Sequence, residues 1–461
     1  MSDEFVGVRV DGGTAPFQVV QQDTSGMGRM AFRGRWRHAE NRGAVQLRLV
    51  READGAVVSP ATNWQAAREQ DGTAWAHTFD RVPAGGLYRL ETRLMLDPNG
   101  AEWSPHGNTV HHLGVGDLWI IAGQSNAAGY GRGPTFDPPE LGVHILKNDE
   151  TWDIAAHPLN DTTRSSHPNL EQANPSHSPY LRFAKDLHAA LGYPIALVQT
   201  ALGGSPLSAW NPEENPDAPL YKNLMHCVTL AGGRVRGMVW YQGESDCGPQ
   251  LAPTYEHRFE QFIRRLRRDL DAPTLPVIVA QLNRYTGQQD LDGERGWSII
   301  REAQRRAVAL GHVAVVPTLD LPISDLIHTS SDGNLLLGLR KARAALAVAY
   351  GRPVDWQAPE VTTGQLMDGG NAIELSFTGV SNRLAFLGPG EKDFVVEDAA
   401  GFVPIKAASC PGRDRVRLEL AHPAVRPVSV HGAFGAFPPA TLRDAETNEP
   451  MLGFYGLEVT E

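Results

Sequence analysis

At 461 residues, 41% hydrophobic and 21% charged, the chain has the composition of a soluble globular protein and is too long for one ordinary core, which predicts two or three domains. Its net charge of −11 excludes a nucleic-acid or anionic-membrane surface as the main partner, because phosphate binding needs clustered cations. Three cysteines, Cys227, Cys247 and Cys410, with no Cys-x-x-Cys pair, exclude a disulfide framework, and no structural zinc site is expected.

The N-terminus, Met-Ser-Asp-Glu-Phe-Val, lacks a charged segment followed by an apolar one, and no apolar stretch reaches about 18 residues. A soluble protein without an export signal is expected, cytoplasmic, or secreted or periplasmic if a leader has been removed. Residues 1–113 read as β-rich, with alternating segments such as 44–50 and 87–94 between Gly, Pro and Asp-Gly turns, and predict a small β-sandwich.

From 117 to about 351 strands alternate with amphipathic helices, which implies parallel β-α units. Strands are expected at 118–122, 195–200, 235–240, 276–281 and 312–316, and helices near 180–191, 218–231, 253–270, 295–310 and 334–350. The fold class is α/β, with a five-stranded doubly wound parallel sheet. Segment 132–178 is long, polar and aperiodic, and is expected to wall the site. Arg264, Arg265, Arg267 and Arg268 read as the solvated face of an amphipathic helix. Residues 354–461 return to short alternating strands and predict a second β-sandwich, so the expected domains are 1–113, 114–353 and 354–461.

In an open parallel sheet the loops leaving the carboxyl ends of the strands share one edge. Those exits carry Gly-Gln124-Ser125-Asn126, Gly203-Gly204, Gln242-Gly-Glu244-Ser-Asp246, Asn283-Arg284, and Asp320 followed by Asp325-Leu-Ile-His328. A serine hydroxyl needs a base to become a nucleophile, and neutral imidazole serves. An Asp three residues before the His can accept its Nδ1–H, and a glycine N–H and the Gln242 amide can face a developing oxyanion. Each residue has a plainer reading: Ser125 or Asn126 as a helix cap, Gly203-Gly204 as a tight turn, Asp325 as a turn residue, and His328 as an ordinary hydrogen-bonded histidine. The joint placement is harder to dismiss than any one of them.

Gly123-Gln-Ser125-Asn126, Gly203-Gly204-Ser205 followed by Trp210, Trp240-Tyr-Gln-Gly-Glu-Ser245, and Asp325-Leu-Ile-His328 followed by Gly338-Leu-Arg340 resemble the ordered blocks of the sialate O-acetylesterase-like carbohydrate esterases, a branch of the SGNH hydrolases. The resemblance spans 117–351 and implies a flavodoxin-like sheet, Ser125 as nucleophile, His328 as base and Asp325 as its partner. It also implies an oxyanion hole of the Ser125 N–H, a glycine N–H, with Gly204 preferred over Gly203, and Gln242. Gln124, Asn126, Gly203, Trp210, Glu244 and Arg284 are expected to support the site or touch substrate. Ala127, Ser205, Asp246 and Thr329 depart from the usual Met, Thr, Asn and Pro, and the first and third bear on the substrate.

The expected function is removal of O-acetyl groups from a carbohydrate through an acetyl-serine intermediate, with no metal or organic cofactor and an acetylated glycan as the partner. A general carboxylesterase would want an apolar acyl channel, where segment 132–178 is polar. A non-catalytic carbohydrate-binding protein would have lost Ser125, Asp325 or His328. A glycosidase using Glu244 and Asp246 would place two carboxylates too close in sequence to straddle a bond. Tyr130, Trp210, Arg284, His157, His167 and His177 are candidate sugar contacts. His328 is expected within hydrogen-bond reach of both Ser125 and Asp325, with some looseness without substrate.

Overall fold

The computed structural model describes residues 5–165 and 175–461. Its central sheet carries parallel strands in the spatial order Val143–Leu146, Ile195–Gln199, the second half of Val110–Gly123, Gly237–Tyr241, Val277–Ala280 and Val313–Val316. All five expected strands are present, and their order places the first between the second and third. The chain therefore reverses direction beside the strand that ends at Gly123, where an open α/β sheet leaves a crevice.

The parallel strands number six, not five, because Val143–Leu146 extends one edge and Trp152–Ile154 pairs antiparallel beyond it. These short strands lie within a polar segment, and four residues are too few to show a period. His144 sits in the first of them, fully buried, its Nδ1 2.7 Å from Phe17 O.

The inner strands are apolar on both faces because helices cover both. Tyr180–Leu191 packs against Ser331–Val348, and Tyr255–Asp269 against Leu291–Arg306. Phe259, Phe262, Ile263 and Leu266 bury the apolar face of the Tyr255–Asp269 helix. Arg264, Arg265 and Arg268 lie on its outer face in ion pairs with Glu260, Asp269 and Glu213. Arg267 departs from the expected solvated row: it is buried and donates to the carbonyls of Leu275, Leu310 and Gly311.

Before this core, Gly7–Gly13, Met27–Arg37, Ala74–Pro83 and Glu69–Asp71 form one sheet. Ala44–Arg51 and Gly85–Met95 pair in another with the first half of Val110–Gly123. Phe32, Trp36, Trp75, Leu47, Leu90 and Leu113 join the two sheets in one apolar cluster. The strand Val110–Gly123 runs unbroken through the expected boundary at 113.

The C-terminal segment is not two facing sheets. Eight strands form one sheet whose edges, Gly401–Val403 and Ile405–Ser409, are separated in sequence by Pro404 alone, so the sheet curls nearly into a barrel. A two-stranded ribbon, Leu384–Phe386 with Leu442–Asp444, lies beside it. Arg301, fully buried, ties this segment to the central core by donating to the carbonyls of Leu282, Asn283, Gly435 and Ala436. Among the described residues no helix is long and apolar enough to cross a membrane.

Candidate active site

The strand Val110–Gly123 ends in a glycine with φ +129°, where an added Cβ would sit 2.1 Å from Tyr241 O. Only glycine lets the chain turn there against the neighbouring strand. The turn opens directly into the short helix Ser125–Ala128, which Gly129 stops in the left-handed conformation. Ser125 is thereby carried at the carboxyl edge of the sheet.

Asp325 and His328 share a loop after the last parallel strand. Asp325 Oδ2 lies 2.7 Å from His328 Nδ1, and its Oδ1 accepts the backbone N–H groups of Ile327 and His328 at 2.9 and 2.8 Å. Partial burial raises the proton affinity of this carboxyl, but the Ile327 N–H, the imidazole and the His328 N–H outweigh it and hold its pKa below the usual value. The Tyr130 ring stacks on the His328 ring at 4.9 Å, so Tyr130 braces the imidazole.

Asn126 fastens this loop to the serine turn. Its Oδ1 accepts the Thr329 N–H at 3.0 Å, and its Nδ2 donates to Ile327 O at 3.3 Å and to Glu244 Oε1 at 2.8 Å. The residue after the serine thus grips the chain on both sides of His328. A proline at 329 would lack the N–H that Asn126 uses, so the departure at Thr329 has a structural counterpart. The expected Asp325–His328 contact is formed. The Ser125 hydroxyl makes no hydrogen bond to a described residue, so the expected bond to His328 is open here.

Gln242 is where the structure corrects the sequence reading. It is fully buried, its Nε2 donates to Ser205 O at 3.2 Å and Asp246 Oδ2 at 2.6 Å, and its Oε1 accepts from Tyr255 Oη at 2.9 Å. Both amide hydrogens are spent, so it has none for an oxyanion. Gln124, by contrast, anchors its Oε1 on the N–H groups of Gly243 and Ser245 at 3.4 and 3.2 Å, while its Nε2 meets no described acceptor. The N–H groups of Ser125 and Gly204 likewise donate to no described residue. Ser245 Oγ donates to Gly204 O at 3.1 Å, which holds the Gly203-Gly204 turn beside Gln124.

Other expected residues fall behind the site. Trp210 is fully buried, donates to Ser205 Oγ at 3.0 Å and packs edge-on to Trp240, so it is core and touches no sugar. Asp246 is fully buried, bonded to Arg258 Nη1 at 2.9 Å and to the Leu207 N–H at 2.9 Å. The carboxylate at this departure faces an arginine rather than substrate, and Ala127 is likewise buried in the core. Arg284 donates to Leu321 O at 2.9 Å and lies over Phe437, engaged with the C-terminal segment. Asp320 is taken by Arg340 and Arg443 and is no substitute for Asp325.

Glu244 receives Asn126 on one oxygen, and its Oε2 is buried without a partner among the described residues. Burial raises its pKa, against the opposing hydrogen bond from Asn126. His157 and His177, expected as sugar contacts, are gathered around Asp137. His167 lies outside the described residues.

A family model for carbohydrate esterases described as sialic acid-specific acetylesterases matches residues 115–347. The chain is 28% identical over 256 residues to a probable carbohydrate esterase of Arabidopsis thaliana, covering 50% of this chain and 90% of that protein. It is 23% identical over 243 residues to the sialate O-acetylesterase of Homo sapiens, covering 44% of each. Among solved structures, a carbohydrate acetylesterase from Xanthomonas citri shares the fold over 97% of this chain and 99% of that one, at a TM-score of 0.69 and 24% identity. With its serine turn, Asp–His loop and parallel sheet inside a match that spans half its length, the chain belongs to the sialic acid-specific acetylesterase family of carbohydrate esterases.

Proposed function

We propose that this carbohydrate O-acetylesterase works through an acetyl-Ser125 intermediate, with His328 as base and Asp325 as its partner. The observation that carries the reading is the grip of Asn126 on Ile327 and Thr329, which sets the Asp325–His328 pair against the serine turn. As Ser125 Oγ bonds to the acetyl carbon, His328 takes its proton, and Asp325 stabilises the imidazolium. His328 then returns the proton to the sugar oxygen as its bond to the acetyl carbon breaks. Water repeats the sequence on the acetyl-serine, releasing acetate and restoring the hydroxyl.

The oxyanion that forms in each half is assigned to the N–H groups of Ser125 and Gly204 and to the Gln124 amide, the donors without a described acceptor. Gly203 is the alternative glycine. The sheet order and site favour an SGNH hydrolase core, and the apolar clusters support three units near 1–113, 114–353 and 354–461, joined where Val115, Leu319, Ala436 and Leu452 cross those bounds. Glu244 and Asp246 do not support a glycosidase, because Asp246 is sealed against Arg258.

The test is acetate release from acetylated xylan, O-acetylated sialic acid and an aryl acetate by wild type and Ser125→Ala, with mass spectrometry of the protein quenched during turnover. Wild type should gain one acetyl group on the peptide containing Ser125, and the variant should release acetate at least about 10⁴-fold more slowly. Near-normal turnover by Ser125→Ala would remove the covalent mechanism.

A further inference from the structure

Asp137, His157 and His177 meet within the 132–178 segment. The ligand atoms of the three residues lie within 4.8 Å of one another. His157 Nε2 is 3.0 Å and His177 Nε2 3.4 Å from the same oxygen, Asp137 Oδ2, and the two rings stack at 4.0 Å. The Asp137 side chain is 2% exposed and that of His177 6%. His177 Nε2 is buried and makes no hydrogen bond to a described residue, although it lies 3.4 Å from a carboxylate oxygen.

Two imidazole nitrogens converging on one carboxylate oxygen is more than an ion pair needs. In tetrahedral zinc coordination, with bonds of about 2.0–2.1 Å, neighbouring nitrogen and oxygen ligands stand roughly 3.3 Å apart. The separations of 3.0 and 3.4 Å match that spacing. We propose that Asp137 Oδ2, His157 Nε2 and His177 Nε2 form a zinc site whose fourth tetrahedral position is taken by water. Imidazole and carboxylate together suit this borderline ion, and the site uses no cysteine, so thiol spacing gives no hint of it.

The opposing group is Lys185, whose Nζ lies 2.6 Å from Asp137 Oδ1 and 3.1 Å from Pro138 O. It occupies the other carboxylate oxygen and leaves Oδ2 to the ion. Its charge nevertheless competes with a bound cation. The two Nδ1 atoms are buried without a partner among the described residues.

The position gives the site a purpose. The His177 backbone exchanges hydrogen bonds with Gly131 at 3.0 and 3.2 Å, and His177 O accepts from Asn334 Nδ2 at 2.9 Å. An ion joining residues 137, 157 and 177 would staple three points of the 132–178 segment to the chain that leaves Ser125 and Tyr130.

Tag-free full-length protein, stripped with chelator and returned to zinc, is passed through gel filtration and its metal measured, alongside His177→Ala, Asp137→Asn and Lys185→Met. Wild type should retain one zinc per chain and melt at a higher temperature with it. The first two variants should bind at least about tenfold more weakly, and Lys185→Met, which removes a like charge beside the site, more tightly. Should His177→Ala fail to fold, the near-isosteric Asp137→Asn and the visible spectrum of cobalt-loaded wild type decide, the latter expected to be tetrahedral. No zinc on wild type, undiminished zinc on Asp137→Asn, weaker binding by Lys185→Met or an octahedral cobalt spectrum would each overturn the proposal.

Discussion

Asn126 Oδ1 accepts the backbone N–H of Thr329 at 3.0 Å, joining residues more than two hundred positions apart at the point where hydroxyl and imidazole must be brought into register. Thr329 is fully buried, so its N–H has no water to turn to. Asn126→Ala should cost about 1–3 kcal/mol of stability. Loss of register should lower kcat/KM by about 10². Thermal melts and aryl-acetate kinetics read the two effects separately, and a variant with unchanged kcat/KM would show that the loop is held by other contacts.

Ser125→Ala should reduce kcat by about 10⁴–10⁶, and Asp325→Asn by about 10⁴, through the wrong imidazole tautomer. Neither should move the melting temperature much, because Ser125 Oγ has no described partner and Asp325 lies in an exposed loop. Retention of acetyl-ester turnover by Asp325→Asn would separate the pair's geometry from its proposed role.

The two glutamines should part company. Gln242→Ala leaves Ser205 O and the buried Asp246 carboxylate each short of a donor, and should cost about 1–3 kcal/mol or more while kcat of the folded fraction falls less than about tenfold. Gln124→Ala should lower kcat by about 10²–10³ with little change in KM, since donation to an oxyanion counts in the transition state. The reverse pattern on an aryl acetate would return Gln242 to the oxyanion hole.

Glu244 sets a pH dependence whose sign follows from burial. Its folded pKa is raised, so the protonated form is favoured in the native state and the stability penalty grows as pH climbs above the unfolded carboxyl value. Glu244→Gln should melt with wild type in acid and above it at neutral pH, the gap widening upward through the carboxylate range. Melting curves from pH 4 to pH 8 measure this, and a gap that widens toward acid would contradict it.

The parallel core was legible because strands buried on both faces are short apolar runs, and because the topology of an open sheet sends their exits to one edge. That was enough to bring Asp325 and His328 together and to place Asn126, Gln124 and Glu244 nearby. The direction of an amide was not legible: Gln242 and Gln124 both sit at strand exits, and only the packing of Asp246 against Arg258 decides which is occupied. Trp210 misled because an indole looks the same in sequence whether it stacks on a sugar or on Trp240. The edge strand Val143–Leu146 and the Asp137 cluster were hidden for one reason, that contacts formed within an aperiodic segment leave no period.

Val110–Gly123 is a single strand of 14 residues, about 45 Å from end to end, rooted in one apolar cluster and tipped by the turn that carries Ser125. It behaves as a rod clamped at its root: its first half is held by Gly85–Met95 and its second by Ile195–Gln199 and Gly237–Tyr241. Heat or denaturant acting on the N-terminal sheets therefore loosens the support of the hydroxyl itself, and the two regions should melt together. A truncation or gene fusion placed near residue 113 would saw through the rod instead of passing between parts, which makes the N-terminal sheets an inseparable footing for the hydrolytic edge rather than an interchangeable attachment.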